Sequence, residues 1–379
     1  MSVATVIRVD HNDNFKCKYM KKIAIGIDFS KKTFDVTVVR REEDSYKELG
    51  YSVFPNDTKG FRLFEKWVKA TLKSTPESSD KSSWLFCGEH TGTYSIPLCD
   101  YLAKAGYLMW LESALVIHRK CGIIRDKNDR IDSKRIAEYA LRNYSDEVRG
   151  YERPGKDMKK LRSLFSAHQV LTKDKVAKNN QIKSGVFDDS PLARRSIEAE
   201  LDSIRKLLKD IDKEIKQLLS ASRELSHNYN LLISFRGIGF LTAAYLILKT
   251  LNFKYMTDAR ELGCYIGVVP HGQQSGTSIN KPPRTSRYRD ATANALLSTC
   301  AVIAISTRNE IIRPYYDRLI ARGVIRQKAL NNCKFKILNV LLSMIRNGKP
   351  FDMEIHGKSK KQWQKEELKE ETLMKYLTE

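Results

Sequence analysis

The sequence predicts an α/β domain followed by a mainly α-helical region, and three observations carry that reading. Residues 21–39, KKIAIGIDFSKKTFDVTVV, alternate with the period of paired strands. Strand-like and helix-like segments then interleave as far as residue 153, the pattern of an α/β sheet. Beyond Pro154 the composition turns helical and charged. There Ile197, Leu201, Ile204, Leu208, Ile211, Ile215 and Leu218 recur at the spacing of a heptad seam.

The first hairpin organises its domain. Ile23, Ile25, Ile27 and Phe29 alternate with Ala24, Gly26 and Asp28; Ser30-Lys31-Lys32 turns the chain, and Phe34, Val36 and Val38 begin a second alternation. Asp28 is the exception. A carboxylate at the end of an apolar strand is costly when buried unpaired, so it requires a cation, a metal ion or water. Its small face-mates Ala24 and Gly26 leave room beside it. The plainer alternative is an Asp that caps the turn through Ser30.

A polar turn at 40–47 leads to a strand near 51–54. Asn56-Asp57-Thr58 opens an amphipathic helix over 59–72, with Phe61, Phe64, Trp67 and Val68 on one face. A polar loop follows, then a short buried strand at 84–89 that again ends on a carboxylate, Glu89. Residues 94–105 read as a helix closed by Gly106, and 107–111 as a further strand.

In the second region, Met158, Leu161, Phe165 and His168 form a weaker stripe, with His168 read as a seam residue rather than a ligand. The loop at 184–191 separates it from the heptad seam, so an antiparallel helical hairpin is expected. Residues 231–352 are mostly helical with a Gly-rich middle. The expected organisation is an N-terminal extension (1–20), an α/β domain (21–153), a helical coiled-coil spacer (154–226), a C-terminal domain (227–352) and a charged tail (353–379).

Lys and Arg number 67 against 45 Asp and Glu, a net charge of +22 that points to a polyanionic partner. No apolar run approaches the length that spans a bilayer, and the first residues lack the apolar stretch of a signal peptide. Seven cysteines lie far apart with no C-x-x-C pair, which argues for a reducing compartment and against a structural zinc. The expectation is a cytoplasmic, nucleoid-associated prokaryotic protein with no membrane partner.

Chemistry concentrates in three places. Asp28 and Glu89 end strands of one domain, and Asp129 and Asp132 stand three apart at a helix start, able to face one way. Four converging carboxylates repel unless divalent cations lie between them. Mg²⁺ takes oxygen ligands, and paired ions clamp attacking and leaving oxygens in phosphoryl transfer. Arg125, Lys127, Arg130 and Arg135 surround the last pair as a phosphate backbone requires. The alternative makes Asp129 an N-cap and Asp132 a first-turn dipole partner.

Next, residues 234–247, SFRGIGFLTAAYLI, read as helix, tight turn, helix. Gly237 and Gly239 would let backbone N–H groups approach a phosphate, as in a helix–hairpin–helix element; a plain αα-turn is the alternative. Last, residues 265–278, YIGVVPHGQQSGTS, form a Gly-rich, hydroxyl-rich loop. It precedes Lys281, Arg284, Arg287 and Arg289 and then an apolar helix from about residue 290 to 305. A serine there, Ser275, is placed to attack a phosphodiester with cations stabilising the developing charge; the alternative is a common Ser-Gly turn. His271 nearby is a candidate base or a plain surface histidine.

Taken in order, these segments resemble one family. GIDFSKKTFDV, CGEHTGTY, KNDRIDSKRIAEYA, RGIGFLTA, YIGVVPHGQQSGTS and YYDRLIARG are similar to the DEDD insertion-sequence transposases and related Piv-type DNA invertases, which are bridge-RNA-guided recombinases. The resemblance spans about residues 21–352. It implies a RuvC-like (RNase H-type) N-terminal domain in which Asp28, Glu89, Asp129 and Asp132 hold Mg²⁺, with Mn²⁺ an alternative. It also implies a C-terminal transposase domain with Ser275 as nucleophile, forming a covalent phosphoserine link to DNA. A structured noncoding RNA would pair with donor and target DNA. The protein would act as a homo-oligomer, dimer or tetramer, with composite active sites and a coiled coil joining protomers.

Two competitors remain from the residues alone. A RuvC-like, metal-dependent, structure-selective nuclease would need the four acids but not Ser275. A non-catalytic RNA- or DNA-binding protein would need neither. The Asp28 hairpin also resembles the phosphate loop of actin-like sugar kinases, which a chain of charge +22 without a second Gly-rich nucleotide loop disfavours.

Overall fold

The computed structural model describes residues 21–43, 45–78, 80–90, 92–121, 128–145, 148–275 and 279–356, with side chains outside 273–282 and 356. The chain divides into two units, Met1–Arg153 and Pro154–Glu379.

In the first unit, apolar alternation produces the expected hairpin, β1 (Ile23–Phe29) and β2 (Thr33–Arg41), closed by Ser30, whose Oγ donates to the Thr33 carbonyl at 2.8 Å. The third strand, β3 (Tyr46–Pro55), is longer than the sequence indicates, because only Phe54 of its ten residues is buried and no apolar period marks the rest. Helix α1 (Thr58–Leu72) is capped by Asp57, which accepts from the Gly60 N–H, and buries Phe61, Phe64 and Val68. Strand β4 (Trp84–Glu89), helix α2 (Ile96–Lys104), strand β5 (Met109–Glu112) and helices α3 (Ala114–Lys120) and α4 (Asp129–Asn143) complete the unit.

The sheet order is β3-β2-β1-β4-β5. The hairpin pairs are antiparallel, and β1, β4 and β5 run parallel. Both faces are covered. Ile23, Ile25 and Ile27 pack with Phe34, Phe64 and Leu98 on the α1/α2 side. Ala24, Val39, Leu85 and Cys87 pack with Ile117, Ile136 and Ala137 on the α3/α4 side. This mixed, two-sided sheet is compatible with a RuvC-like fold.

The second unit opens with the expected helical hairpin, α5 (Lys156–Lys183) and α6 (Pro191–Ala221). Lys160 pairs with Glu214 at 2.7 Å, His168 with Asp212 at 3.2 Å, and Lys178 with Glu200, so the helices run antiparallel. Leu201, Ile204, Leu208 and Ile215 of the expected seam are buried, Ile211 and Leu218 are partly buried against the core, and Leu219 is buried beside them.

Met158, Leu161 and Phe165 of α5 and Ile215 and Leu219 of α6 share one apolar core with the helices that follow. These are α7 (Ser226–Ser234), α8 (Phe240–Lys249), α9 (Ala259–Ile266), α10 (Ala291–Ser306), α11 (Ile312–Ala321), α12 (Arg326–Asn347) and the short α13 (Met353–His356). The hairpin base and these helices therefore share one core.

The stretch read as a Gly-rich loop is corrected by the structure. After Gly267 closes α9 in the left-handed conformation, the chain forms a two-stranded ribbon, β6 (Pro270–Ser275) and β7 (Ile279–Thr285). Its Gly, Gln and Ser residues carry no apolar alternation, so nothing in the sequence signals strands there. Among the described residues no helix is long and apolar enough to cross a membrane. The described cysteines are free, and Cys87, Cys99, Cys300 and Cys333 are buried.

Candidate active site

The carboxylates are assembled by strand register. Ile27 of β1 pairs with Gly88 of β4, so the next residues, Asp28 and Glu89, stand side by side at the strand ends. Asp28 shares the face of Ala24 and Gly26, and the room beside those small residues is filled by α4. A Cβ on Gly26 would lie 2.0 Å from the Ser133 carbonyl oxygen and 2.5 Å from the Ala137 nitrogen. Only glycine permits that approach. It brings the first turn of α4, with Asp129 and Asp132, to the end of β1.

The consequence is electrostatic. Burial, followed by the charges of Glu89, Asp129, Asp132 and Asp35, raises Asp28 to about 6. The cap of α4 is Asn128, whose side chain accepts from the Arg130 N–H at 3.0 Å. Asp129 is therefore not the N-cap, which overturns the capping alternative for it. Asp132 pairs with Arg135 at 3.4 Å. Glu89 lies 4.0 Å from His118 of α3, a residue the motifs do not single out.

Electrostatic reach and ligand distance are different things here. Glu89, Asp129 and Asp132 act on Asp28, yet among the described residues no three His, Cys, Asp or Glu side chains converge closely enough to form a metal-ligand cluster. Their chemistry is all-oxygen and their charge is in excess, which fits a hard divalent cation.

Of the cations near the acids, Arg125 and Lys127 lie outside the described residues. Arg130 bonds Glu48 at 2.7 Å and lies over the Tyr51 ring at 5.2 Å; Lys134 reaches the same Glu48 at 3.3 Å. Burial raises the Glu48 carboxyl, but these two cations outweigh it and hold the pKa below the usual range.

In the second unit, Ser275 is the last residue of β6, in register with Ile279. The ribbon thus carries it at the end remote from the root, where Pro270 faces Thr285. Lys281 lies in β7, paired with Gln273, and His271 pairs with Arg284. Arg284, Arg287 and Arg289 are exposed.

Arg289 lies over Gly267 and precedes Asp290, the cap of α10. Tyr245 donates to both Asp290 carboxylate oxygens at 2.9 Å, and Lys249 pairs with Asp290 at 3.3 Å, anchoring the segment. Gly237 and Gly239 serve different ends. Gly237, at φ +114°, packs against Ala304 and Cys300 of α10, whereas Gly239 caps α8 with open space around it.

Two stretches of the chain match two transposase family models. A DEDD-type IS110 transposase model matches residues 25–190, and a model of the IS116/IS110/IS902 transposase family matches residues 229–317. The chain belongs to the IS110 transposase family.

Like its family, this IS110 transposase is a DNA recombinase acting on DNA, and its DEDD-type domain points to divalent-metal dependence. It is 26% identical over 340 residues to the pilin gene-inverting protein of Moraxella bovis, covering 89% of this chain and 100% of that one. The Moraxella lacunata pilin gene-inverting protein is 25% identical over the same span. An IS110 insertion-element protein of Streptomyces coelicolor is 30% identical over 155 residues, 40% of this chain and 36% of that one.

Proposed function

We propose that this transposase cuts and rejoins DNA through a covalent phosphoserine at Ser275. Asp28, Glu89, Asp129 and Asp132 would hold the divalent cation, Mg²⁺ or Mn²⁺. A structured guide RNA would select donor and target DNA by pairing. The observation that carries this reading is the convergence of strand register and helix approach on Asp28, which concentrates negative charge where β1, β4 and α4 meet.

When bound, the cation supplies charge stabilisation at the phosphoryl oxygens. The remaining roles fall to the chain. The carboxylates orient and hold. Ser275 Oγ forms the new bond to phosphorus as the bond from phosphorus to the leaving deoxyribose oxygen breaks. The hydroxyl proton passes to a base, and the leaving oxygen takes one up. In the rejoining step a deoxyribose hydroxyl displaces the serine. Lys281, Arg284, Arg287 and Arg289, with Arg125, Lys127, Arg130 and Arg135, would neutralise backbone phosphates, and Gly239 would present α8 N–H groups to another. Copies of the chain would join through the α5–α6 hairpin, a serine from one completing the carboxylate site of another.

The name of the Moraxella relatives, pilin gene-inverting proteins, supports cutting and rejoining over simple hydrolysis. The test is to trap the adduct. Protein with RNA co-purified from its own element, cognate DNA and Mg²⁺ should give a protein–DNA species on a denaturing gel. That species should vanish in Ser275→Ala and in Asp28→Asn. Nicked DNA without an adduct would replace this reading with a water-using nuclease.

A further inference from the structure

The sheet carries a longer row of carboxylates than the four expected acids. Asp35 of β2 pairs directly with Asp28, and Glu112 of β5 pairs directly with Glu89. With Asp28 beside Glu89, the row Asp35–Asp28–Glu89–Glu112 crosses four adjacent strands. Its two outer members are each held by a phenol. Tyr51 donates to Asp35 Oδ1 at 2.5 Å, and Tyr139 donates to Glu112 Oε2 at 3.0 Å.

Asp35 is the unusual one, at 7% exposure. Like charges directly opposed across an antiparallel pair destabilise it. A phenol satisfies a lone pair without neutralising the charge. Among the described residues Asp35 has no ion pair, whereas Glu48, on the neighbouring strand, takes both Arg130 and Lys134. The fold therefore holds a buried acidic side chain, bonded by a phenol, directly opposite Asp28. Thr37, two residues on, bonds Ser133 of α4 at 2.7 Å, which fixes β2 against the helix that bears Asp129 and Asp132.

We propose that Asp35, locked by Tyr51, is a positioning residue of the metal site: its charge acts through Asp28 to strengthen divalent-cation capture without itself being a ligand. This rests on the metal reading above. A negative charge one strand away from a ligand carboxylate attracts a dication strongly in a half-buried setting.

The experiment is Mn²⁺ binding to the full chain, read by electron paramagnetic resonance of free Mn²⁺, beside thermal melting in EDTA. Asp35→Asn keeps the oxygen that accepts from Tyr51 and removes the charge. It should weaken Mn²⁺ binding about tenfold, the scale of outer-shell changes at metal sites, with melting in EDTA no lower than wild type. Asp35→Glu, which keeps the charge, should retain most of the affinity.

Wild-type affinity in Asp35→Asn overturns the proposal, as does an equal loss in Asp35→Glu. So does a lowered melting point with unchanged affinity, which marks a merely structural residue. Asp28→Asn separates the two readings. If it abolishes Mn²⁺ binding while Asp35→Asn does not weaken it, the metal site stands and the role of Asp35 falls. If Asp28→Asn binds Mn²⁺ normally, both fall.

Discussion

Gly26 and Ser133 are in such close apposition that the α4 backbone occupies the place of a side chain on β1. The two carboxylates at the start of α4 reach Asp28 only because of this contact. Gly26→Ala forces α4 away from the sheet. Overpacking of this kind costs about 1–3 kcal/mol. The melting temperature should fall, and recombination should be lost even in preparations that remain folded, as measured by calorimetry and by the adduct assay.

Asp28→Asn should separate stability from function. Burial and the neighbouring carboxylates make the ionised side chain unfavourable in the fold, which is why its pKa stands near 6. At pH 8 in EDTA the Asn variant, free of that repulsion, should melt no lower than wild type while forming no adduct. A clear drop in melting temperature would contradict the charge account.

The opposite case is Glu65 of α1. Burial raises its pKa, but the bonds from Lys69 at 2.7 Å, Tyr101 at 2.5 Å and Tyr107 at 2.9 Å outweigh it and lower it to about 2. A carboxyl depressed in the folded state stabilises the fold above its unfolded value, near 4.5, and loses that contribution as pH falls toward 2. The stability difference between wild type and Glu65→Gln, from urea melts at stepped pH, should be constant above pH ~5 and shrink below it.

The two glycines of the RGIG turn should respond differently. Gly237→Ala meets both a left-handed backbone and the Ala304 methyl at 2.9 Å, so it should destabilise the second unit by about 1–3 kcal/mol. Gly239→Ala points into open space and should leave the melting temperature unchanged while weakening DNA binding.

Arg284 and Arg287 are exposed on or next to the serine ribbon. If they hold phosphates, each Ala substitution should reduce the salt dependence of DNA binding by about one released ion, without altering target choice. Fluorescence anisotropy across a salt series reads both.

The parts legible in the sequence are those where one side chain pattern decides the structure. The Ile23–Ile27 alternation, the α1 face of Phe61, Phe64 and Val68, and the α6 seam each follow from burial on one side. What escaped depended on pairing. Asp35 sits between Phe34 and Val36, so the same alternation placed it on the Asp28 face, but only the register makes it the direct partner of Asp28. Asn128 displaced Asp129 as cap by one residue, a difference that propensity cannot resolve. The β6–β7 ribbon carries no apolar alternation and declares itself only by its backbone pairing.

The α5–α6 hairpin sets a reach. A helix of 31 residues extends about 46 Å, and the shared core engages only its base, through Met158, Leu161, Phe165, Ile215 and Leu219. Just past that base Gln169 donates to Thr292 of α10 at 3.3 Å, and Val186 and Leu192 at the far end stand 71% and 75% exposed. Length is therefore separable from folding. Removing one heptad from each arm would draw the tip in by about 10 Å and keep the seam in phase. The length of this hairpin is thus set by a segment that can lengthen or shorten by whole heptads without entering the core that α7–α12 share with its base.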